Sequence, residues 1–327
     1  MRAFRTVELT GPSGLRLDDV PSPALGPSEV RIRVRATALN RADLLQTLGL
    51  YPAPPGVPAD IPGMEYAGEV LEVGARVRRW QAGARVMGLV GGGAWAEEVI
   101  SHEREVAPVP AGMAWEEAGA IPEAFLTAWD ALVVQAGTGL GSRVLIHAVA
   151  SGVGTAAAQL CRALGARAVG TGRNAAKLAR AAPYGVQTVL VDGAHPSFAA
   201  RVREALGGAG ADVVLDLVGG DWLPESVEAM APGGTLMLVG LVAGATAEVP
   251  LRTLLSRRLK VVGTTLRARP LEEKIALAAA LEHRLVPLFE QGALRPVVDG
   301  VLPMADLPAG LARLARNETF GKLVLTW

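Results

Sequence analysis

Residues 30–36 alternate Val, Arg, Ile, Arg, Val, Arg and Ala, a period of two that buries the aliphatic face of a strand and turns the arginines to water. Shorter strands follow at 68–73, 85–89 and 97–100, punctuated by Gly and Pro, with a short helix over 42–48 between the first two. The first third therefore reads as a mostly β, partly barrelled module. From Gly119 the texture changes. A helix over 123–134 leads into strands at 144–148, 167–171, 188–191, 212–217 and 234–241, alternating with helices at 154–164, 174–182, 196–206 and 221–230. Such alternation means right-handed βαβ units and a doubly wound parallel sheet, an α/β class. A helix over 251–257, an edge strand over 259–264, a long helix over 271–291, a strand at 297–301, a helix at 307–316 and a last strand at 322–325 complete the chain. The last four elements are expected to return to the first module. The expected division is 1–120, 121–265 and 266–327.

Composition narrows the function classes. The 327 residues hold 32 basic and 32 acidic side chains, so no net field favours nucleic acid. Residues 233–247 form the longest apolar, Gly-rich stretch, too short and broken to span a bilayer. The opening residues lack the apolar run of a signal peptide. The single cysteine, Cys161, permits no internal disulfide. Together these lead to the expectation of a cytoplasmic protein that acts on a small molecule, without membrane or nucleic-acid partners.

The most informative local pattern is the apolar run 144–146, a small-residue turn and a helix rich in Ala, Gln and Leu. Strand, tight turn and helix set a dinucleotide pyrophosphate on free N–H groups at the positive end of a helix dipole. Ala148 stands where the first glycine of the usual fingerprint is expected. Ser151, Gly152 and Val153 form the cradle, and Gly154 allows the helix to approach the strand. At the end of the next strand, Gly172 is followed by Arg173 rather than an acid. An acid there would hold the ribose hydroxyls of NAD. Arg173 and Lys177 are instead suited to a 2′-phosphate, so the expected cofactor is NADPH. Gly240 and Leu241, at the end of a later strand, and Leu266 and Arg267, after the next, are expected near the cofactor by position.

Residues 38–44, 49–56, 62–70, 120–129 and 147–154 together resemble the quinone oxidoreductase (zeta-crystallin) branch of the medium-chain dehydrogenases/reductases. Within it, these residues resemble the tumour-suppressor-inducible NADPH:quinone oxidoreductase type. The likeness runs in order along essentially the whole chain. It implies a GroES-like catalytic domain split around a Rossmann domain, with quinone reduced by hydride or electron transfer in a cleft between them. It also implies that Asn40 and Tyr51 are catalytic, with Asn40, Thr127 and Lys322 beside the cofactor. For Tyr51 the other reading is a turn tyrosine braced by prolines, for Thr127 a threonine bonded to its own helix, and for Lys322 a surface lysine. Asp43 either fixes Asn40 or starts the following helix. Zinc-dependent relatives carry Cys near position 40 and His at 64. Asn40 and Met64 stand there, so no metal is expected. Asp192 falls where the branch often has a tyrosine near the adenine. Cys161, His147, Trp95 and Trp129 read as packing residues. An enal or enone reductase, and a cofactor-binding structural or sensor protein, are the competing functions. Pairing of the edge strand predicts a homodimer.

Overall fold

The computed structural model describes residues 1–191 and 196–327, which form two compact units, 1–126 with 266–327 and 127–265. Asp192 and His195 lie outside the described residues. Among the described residues, no helix is long and apolar enough to cross a membrane.

In the first unit a seven-stranded sheet runs Val298–Pro303, Lys322–Thr326, Glu29–Ala38, Glu65–Val73, Arg85–Leu89 and Val106–Pro108, with Glu98–His102 also paired to Glu29–Ala38. The alternation at 30–36 does what a period of two requires. Val30, Ile32 and Val34 are buried with Tyr66, Val70 and Val86. The arginine face is less open than expected: Arg33 is exposed, but Arg31 is half-buried and bridges Glu72 and Glu98 on neighbouring strands at 3.2 and 3.1 Å. A hairpin of Arg2–Thr6 and Leu15–Asp19 adds a separate two-stranded sheet.

Strand Lys322–Thr326 pairs antiparallel to Glu29–Ala38, with Val324 opposite Ala38. Continuing that register by two residues brings Lys322 level with Asn40. Gly321 makes the approach possible. Its φ is +80°, and a Cβ there would lie 2.2 Å from the Val297 carbonyl oxygen. The long helix expected over 271–291 is continuous but uneven: α over Leu271–Ala280, π over Leu281–Leu285 and α again over Val286–Glu290. Pro287 supplies the reason, because its ring and missing N–H cannot continue a regular i→i−4 ladder, and a wider turn absorbs the misfit.

The second unit carries a six-stranded, all-parallel sheet in the order Val186–Leu190, Arg167–Gly172, Arg143–Ile146, Ala211–Asp216, Met230–Leu238, Lys260–Gly263. Numbered along the chain this is 3-2-1-4-5-6, the doubly wound dinucleotide-binding order, whose switch point lies beside the first strand. Helices Gly152–Ala163, Ala175–Ala181, Ala199–Ala205 and Trp222–Ala229 make the crossovers. The fifth strand ends at Leu238, not at 241 as expected, so Gly240 and Leu241 sit in the loop beyond its carboxyl end.

Candidate active site

In the second unit the residues expected around a dinucleotide gather at the carboxyl edge of the sheet. The chain leaves strand Arg143–Ile146, and Ala148 takes φ +48°, the left-handed region that glycine favours. Ser151 caps helix Gly152–Ala163, its hydroxyl accepting from the Gly154 N–H at 3.0 Å. A Cβ on Gly154 would come within 2.5 Å of the Ala148 carbonyl oxygen and 2.6 Å of Val149 Cα, so the helix packs as closely as only glycine allows. The N–H groups of Gly152 and Val153, in the first turn, have no carbonyl within the helix to receive them. Dipole, donors and close packing fit a pyrophosphate.

Gly172 ends the neighbouring strand, Arg173 is exposed beside it, and Asn174 caps helix Ala175–Ala181 by accepting from the Lys177 N–H at 3.0 Å. Across the switch point, buried Asp216 holds the turn after its strand, Oδ1 accepting from the N–H groups of Val218 and Gly219 at 2.8 and 2.9 Å. Asp216 was not anticipated; an Asp at a strand end before Gly219 and Gly220 is the turn signal that points to it. Leu241 is 52% exposed in the next loop. Thr127 is buried on helix Pro122–Trp129.

His147 is a packing residue. It is fully buried, with Nδ1 2.7 Å from Thr171 Oγ1 and Nε2 2.8 Å from Ser226 Oγ. Burial depresses its pKa to about 4, against a partial opposing pull from Asp216. Cys161 is buried and its thiol is pushed up to about 12, a core residue rather than a nucleophile. Trp95 is fully buried and Trp129 half-buried.

The first unit brings Asn40, Glu65 and Lys322 into direct contact. Lys322 Nζ donates to Glu65 Oε1 at 2.7 Å, to the Leu39 carbonyl at 3.1 Å and to Asn40 Oδ1. Asn40 Nδ2 donates to the same Glu65 oxygen at 2.9 Å and to the Ala38 carbonyl at 3.2 Å. Glu65 Oε2 accepts from the backbone N–H of Glu123, in the first turn of helix Pro122–Trp129, at 2.9 Å. The Lys322 side chain is 6% exposed and that of Glu65 is 0% exposed, which removes the surface reading of Lys322. Glu65 was missed as a functional candidate; a lone acid in an otherwise apolar strand start was its only signal. Asp43 Oδ2 accepts from the Asn40 N–H at 2.8 Å, so Asp43 both fixes Asn40 and braces the helix start. Burial, helped by Glu65, raises the Asp43 pKa to about 7 against the opposing effects of the Asn40 N–H, Lys322 and Arg267.

Tyr51 belongs to a second cluster of the same unit. Arg267 donates from Nε to the Gly91 carbonyl at 2.7 Å, from Nη1 to the Tyr51 carbonyl at 3.2 Å and from Nη2 to Gln46 Oε1. Its guanidinium lies 5.2 Å from the centre of the Tyr51 ring, a cation–π contact. Burial raises the Tyr51 pKa, partly offset by Arg267, so the hydroxyl stays a donor at neutral pH. Leu266 is buried beside Arg267 in sequence.

The residues at the zinc positions of related dehydrogenases do not suit the metal. Asn40 is a neutral amide, Met64 a buried thioether, and the Glu65 carboxylate already faces an ammonium ion. Among the described residues, no group of three or more His, Cys, Asp or Glu is arranged to hold a metal ion.

A parallel sheet of this order in one unit and a β-rich second unit with a buried polar cluster fit a nicotinamide-dependent oxidoreductase. Comparison with known proteins agrees. The alcohol dehydrogenase GroES-like domain family matches residues 26–111, and the zinc-binding dehydrogenase family matches residues 152–282. The quinone oxidoreductase of Pseudomonas aeruginosa is 34% identical over 318 residues, covering 96% of this chain and 96% of that protein. The Escherichia coli quinone oxidoreductase, solved in complex with NADPH, superposes with a TM-score of 0.88 at 27% identity and covers 100% of both chains. The CurK enoyl reductase superposes at 0.87 with 26% identity, covering 99% of this chain and 98% of that one. The chain belongs to the medium-chain dehydrogenase/reductase family, in its quinone oxidoreductase (zeta-crystallin) branch.

Proposed function

We propose that this protein is an NADPH-dependent, zinc-independent quinone reductase. The observation that carries the reading is the donor set at Asn40, Met64 and Glu65, where the Lys322 ammonium stands against the carboxylate that a metal would need. An acceptor for such a site must take hydride without a Lewis acid. A quinone does, because its conjugated carbonyls are already electrophilic and the product is aromatic.

When bound, NADPH supplies the hydride. Ser151, Gly152, Val153 and Gly154 hold its pyrophosphate, and Arg173 with Lys177 pairs with the 2′-phosphate. Gly172, Gly240, Leu241 and Leu266 offer close backbone or apolar contact, and Thr127 and Asn40 orient the nicotinamide end. The Tyr51 ring stacks on the quinone while its hydroxyl donates to the oxygen that gains charge. Arg267 acts through Tyr51, holding both its carbonyl and its ring. A cytoplasmic location follows from the same reading. The protein is a homodimer in this account: Lys260–Gly263 is a terminal strand of its sheet with Val261 exposed on it, and Leu251 and Leu255 of the preceding helix are exposed as well.

The test is oxidation of NADPH by the chelator-treated protein with a small para-quinone. Turnover that survives chelation and falls strongly with NADH supports the proposal. No turnover with any quinone, despite NADPH binding, overturns it. The likeness to the CurK enoyl reductase favours one second reading, reduction of the activated C=C bond of an enal or enone. Saturated product from an enone, with quinones left untouched, would establish that reading instead.

A further inference from the structure

The first unit holds a mostly apolar cavity that the reaction described above leaves unused. All the residues around it belong to that unit, and at about 20 Å³ it has room for one methyl-sized group and none for a ring. One wall is a helix face. Lys274, Leu277, Ala278 and Leu281 follow one another at helical spacing along Leu271–Ala280 and into the π turn that begins at Leu281, so they share one side. Among these four, Ala278 alone is small. It is 5% exposed, so the space over it is interior and a longer side chain there would fill it. Met64 and Leu266 line the cavity as well.

Three residues tie the cavity to the two polar clusters. Arg267 lines it and holds the Tyr51 ring, whose centre is 5.2 Å from the guanidinium. Met64 lines it and immediately precedes Glu65. Glu123 lines it, and its backbone N–H donates to Glu65 Oε2 at 2.9 Å. Of the cations at the wall, Arg267 is committed to Gly91, Tyr51 and Gln46, and Lys274 faces Glu105 at 3.9 Å. A neutral, apolar guest leaves these pairings in place.

We propose that this cavity is the substituent pocket of the substrate site: it takes one methyl group carried on the quinone ring, and Ala278 is the specificity-determining residue that keeps it open. The inference rests on the quinone reductase reading and narrows it to ring-alkylated quinones. The ring stays at Tyr51 while the methyl packs among Met64, Leu266 and Leu281. One methyl in a fitted apolar pocket is worth about tenfold in kcat/KM. A longer substituent meets Leu281.

The test uses the full chain as wild type, Ala278→Leu and Leu281→Ala, each shown by its urea midpoint to be folded. The substrates are para-benzoquinone and its monomethyl and monoethyl derivatives. Their intrinsic reactivities differ, but that difference is the same for every form of the protein, so ratios of kcat/KM are compared between forms. Ala278→Leu is expected to lower the ratio of methyl to unsubstituted quinone about tenfold and to leave the unsubstituted quinone within about twofold. Leu281→Ala lengthens the pocket and is expected to raise the ratio of ethyl to methyl quinone about tenfold. Xenon is the probe that needs no quinone. Under xenon pressure the NMR methyl signals of Met64 and Leu281 are expected to shift in the wild type, and the Met64 signal to stay still in Ala278→Leu. A folded Ala278→Leu protein that keeps the wild-type ratio, or loses both quinones equally, would overturn the inference. So would an unchanged ethyl preference in Leu281→Ala, or wild-type methyl signals that xenon does not move. Absence of turnover with every quinone counts against the proposed function alone, and xenon still decides whether the cavity takes an apolar guest.

Discussion

Acidification should cost this protein stability through His147, and the size of the loss follows from its surroundings. Ser226 Oγ gives its proton to the Trp222 carbonyl at 2.7 Å, so it can only accept from His147 Nε2. Nδ1 must then accept from the Thr171 hydroxyl. A second ring proton would face that hydroxyl's own hydrogen, in a pocket closed by the edges of Phe198 and Trp222 at 5.1 and 5.2 Å between ring centres. The folded pKa is lowered from 6.5 to about 4, so between these values the unfolded chain binds more protons than the folded one. The stabilising contribution is complete above pH 6.5 and is lost as pH falls toward about 4. At about 1.4 kcal/mol per pH unit the loss is about 3 kcal/mol. Other groups titrate over the same range, so the comparison is with His147→Gln, which cannot take up this proton. Urea unfolding of both proteins at neutral pH and near pH 4 gives the difference in stability between them. That difference should shrink by about 3 kcal/mol on acidification. A difference that stays constant would refute the assignment of a neutral, doubly bonded His147.

Four further outcomes are expected. Gly154→Ala places a methyl against the backbone of Ala148 and Val149 and should cost about 1–3 kcal/mol in thermal unfolding, with weaker NADPH binding in fluorescence titration. Arg173→Ala should raise the KM for NADPH about tenfold at low salt and leave that for NADH nearly unchanged; equal effects on both would remove the 2′-phosphate contact. Tyr51→Phe should lower kcat with quinone by about a hundredfold while NADPH affinity holds, and undiminished turnover would leave Tyr51 as a turn residue. Val261→Lys, which puts a charge on the exposed edge strand, should convert a dimer to monomers in sedimentation; a wild-type monomer at micromolar concentration would contradict the dimer outright.

The parallel sheet was the most legible part of the fold, because its strands are buried apolar runs bounded by glycine turns, and strands such as Arg143–Ile146 need no distant partner to be recognised. Ser151 and Gly154 were legible for the same reason, each doing its work within a single turn. The hairpin Arg2–Thr6 with Leu15–Asp19 was not. Its second strand reads Leu-Arg-Leu-Asp-Asp and leaves Leu17 40% exposed, so no buried period announces it. The cluster that defines the first unit's chemistry was legible only as separate letters. Asn40 and Lys322 stand 282 positions apart and Glu65 and Lys322 stand 257 apart, and only the strand register brings them together. A lysine near a chain end carries no local mark of burial. Likewise Arg267 read as a neighbour of the cofactor from its place after a strand, whereas its hydrogen bonds run to Gly91, Tyr51 and Gln46.

The central claim is hydride delivery from NADPH to a quinone at a site without metal. It is tested most directly by kcat/KM for a small quinone against kcat/KM for an enone of similar size, measured with saturating NADPH after chelation. The account predicts efficient quinone reduction that exceeds enone reduction and is unchanged by chelation. Turnover confined to the enone, or abolished by chelation and restored by zinc, would contradict it.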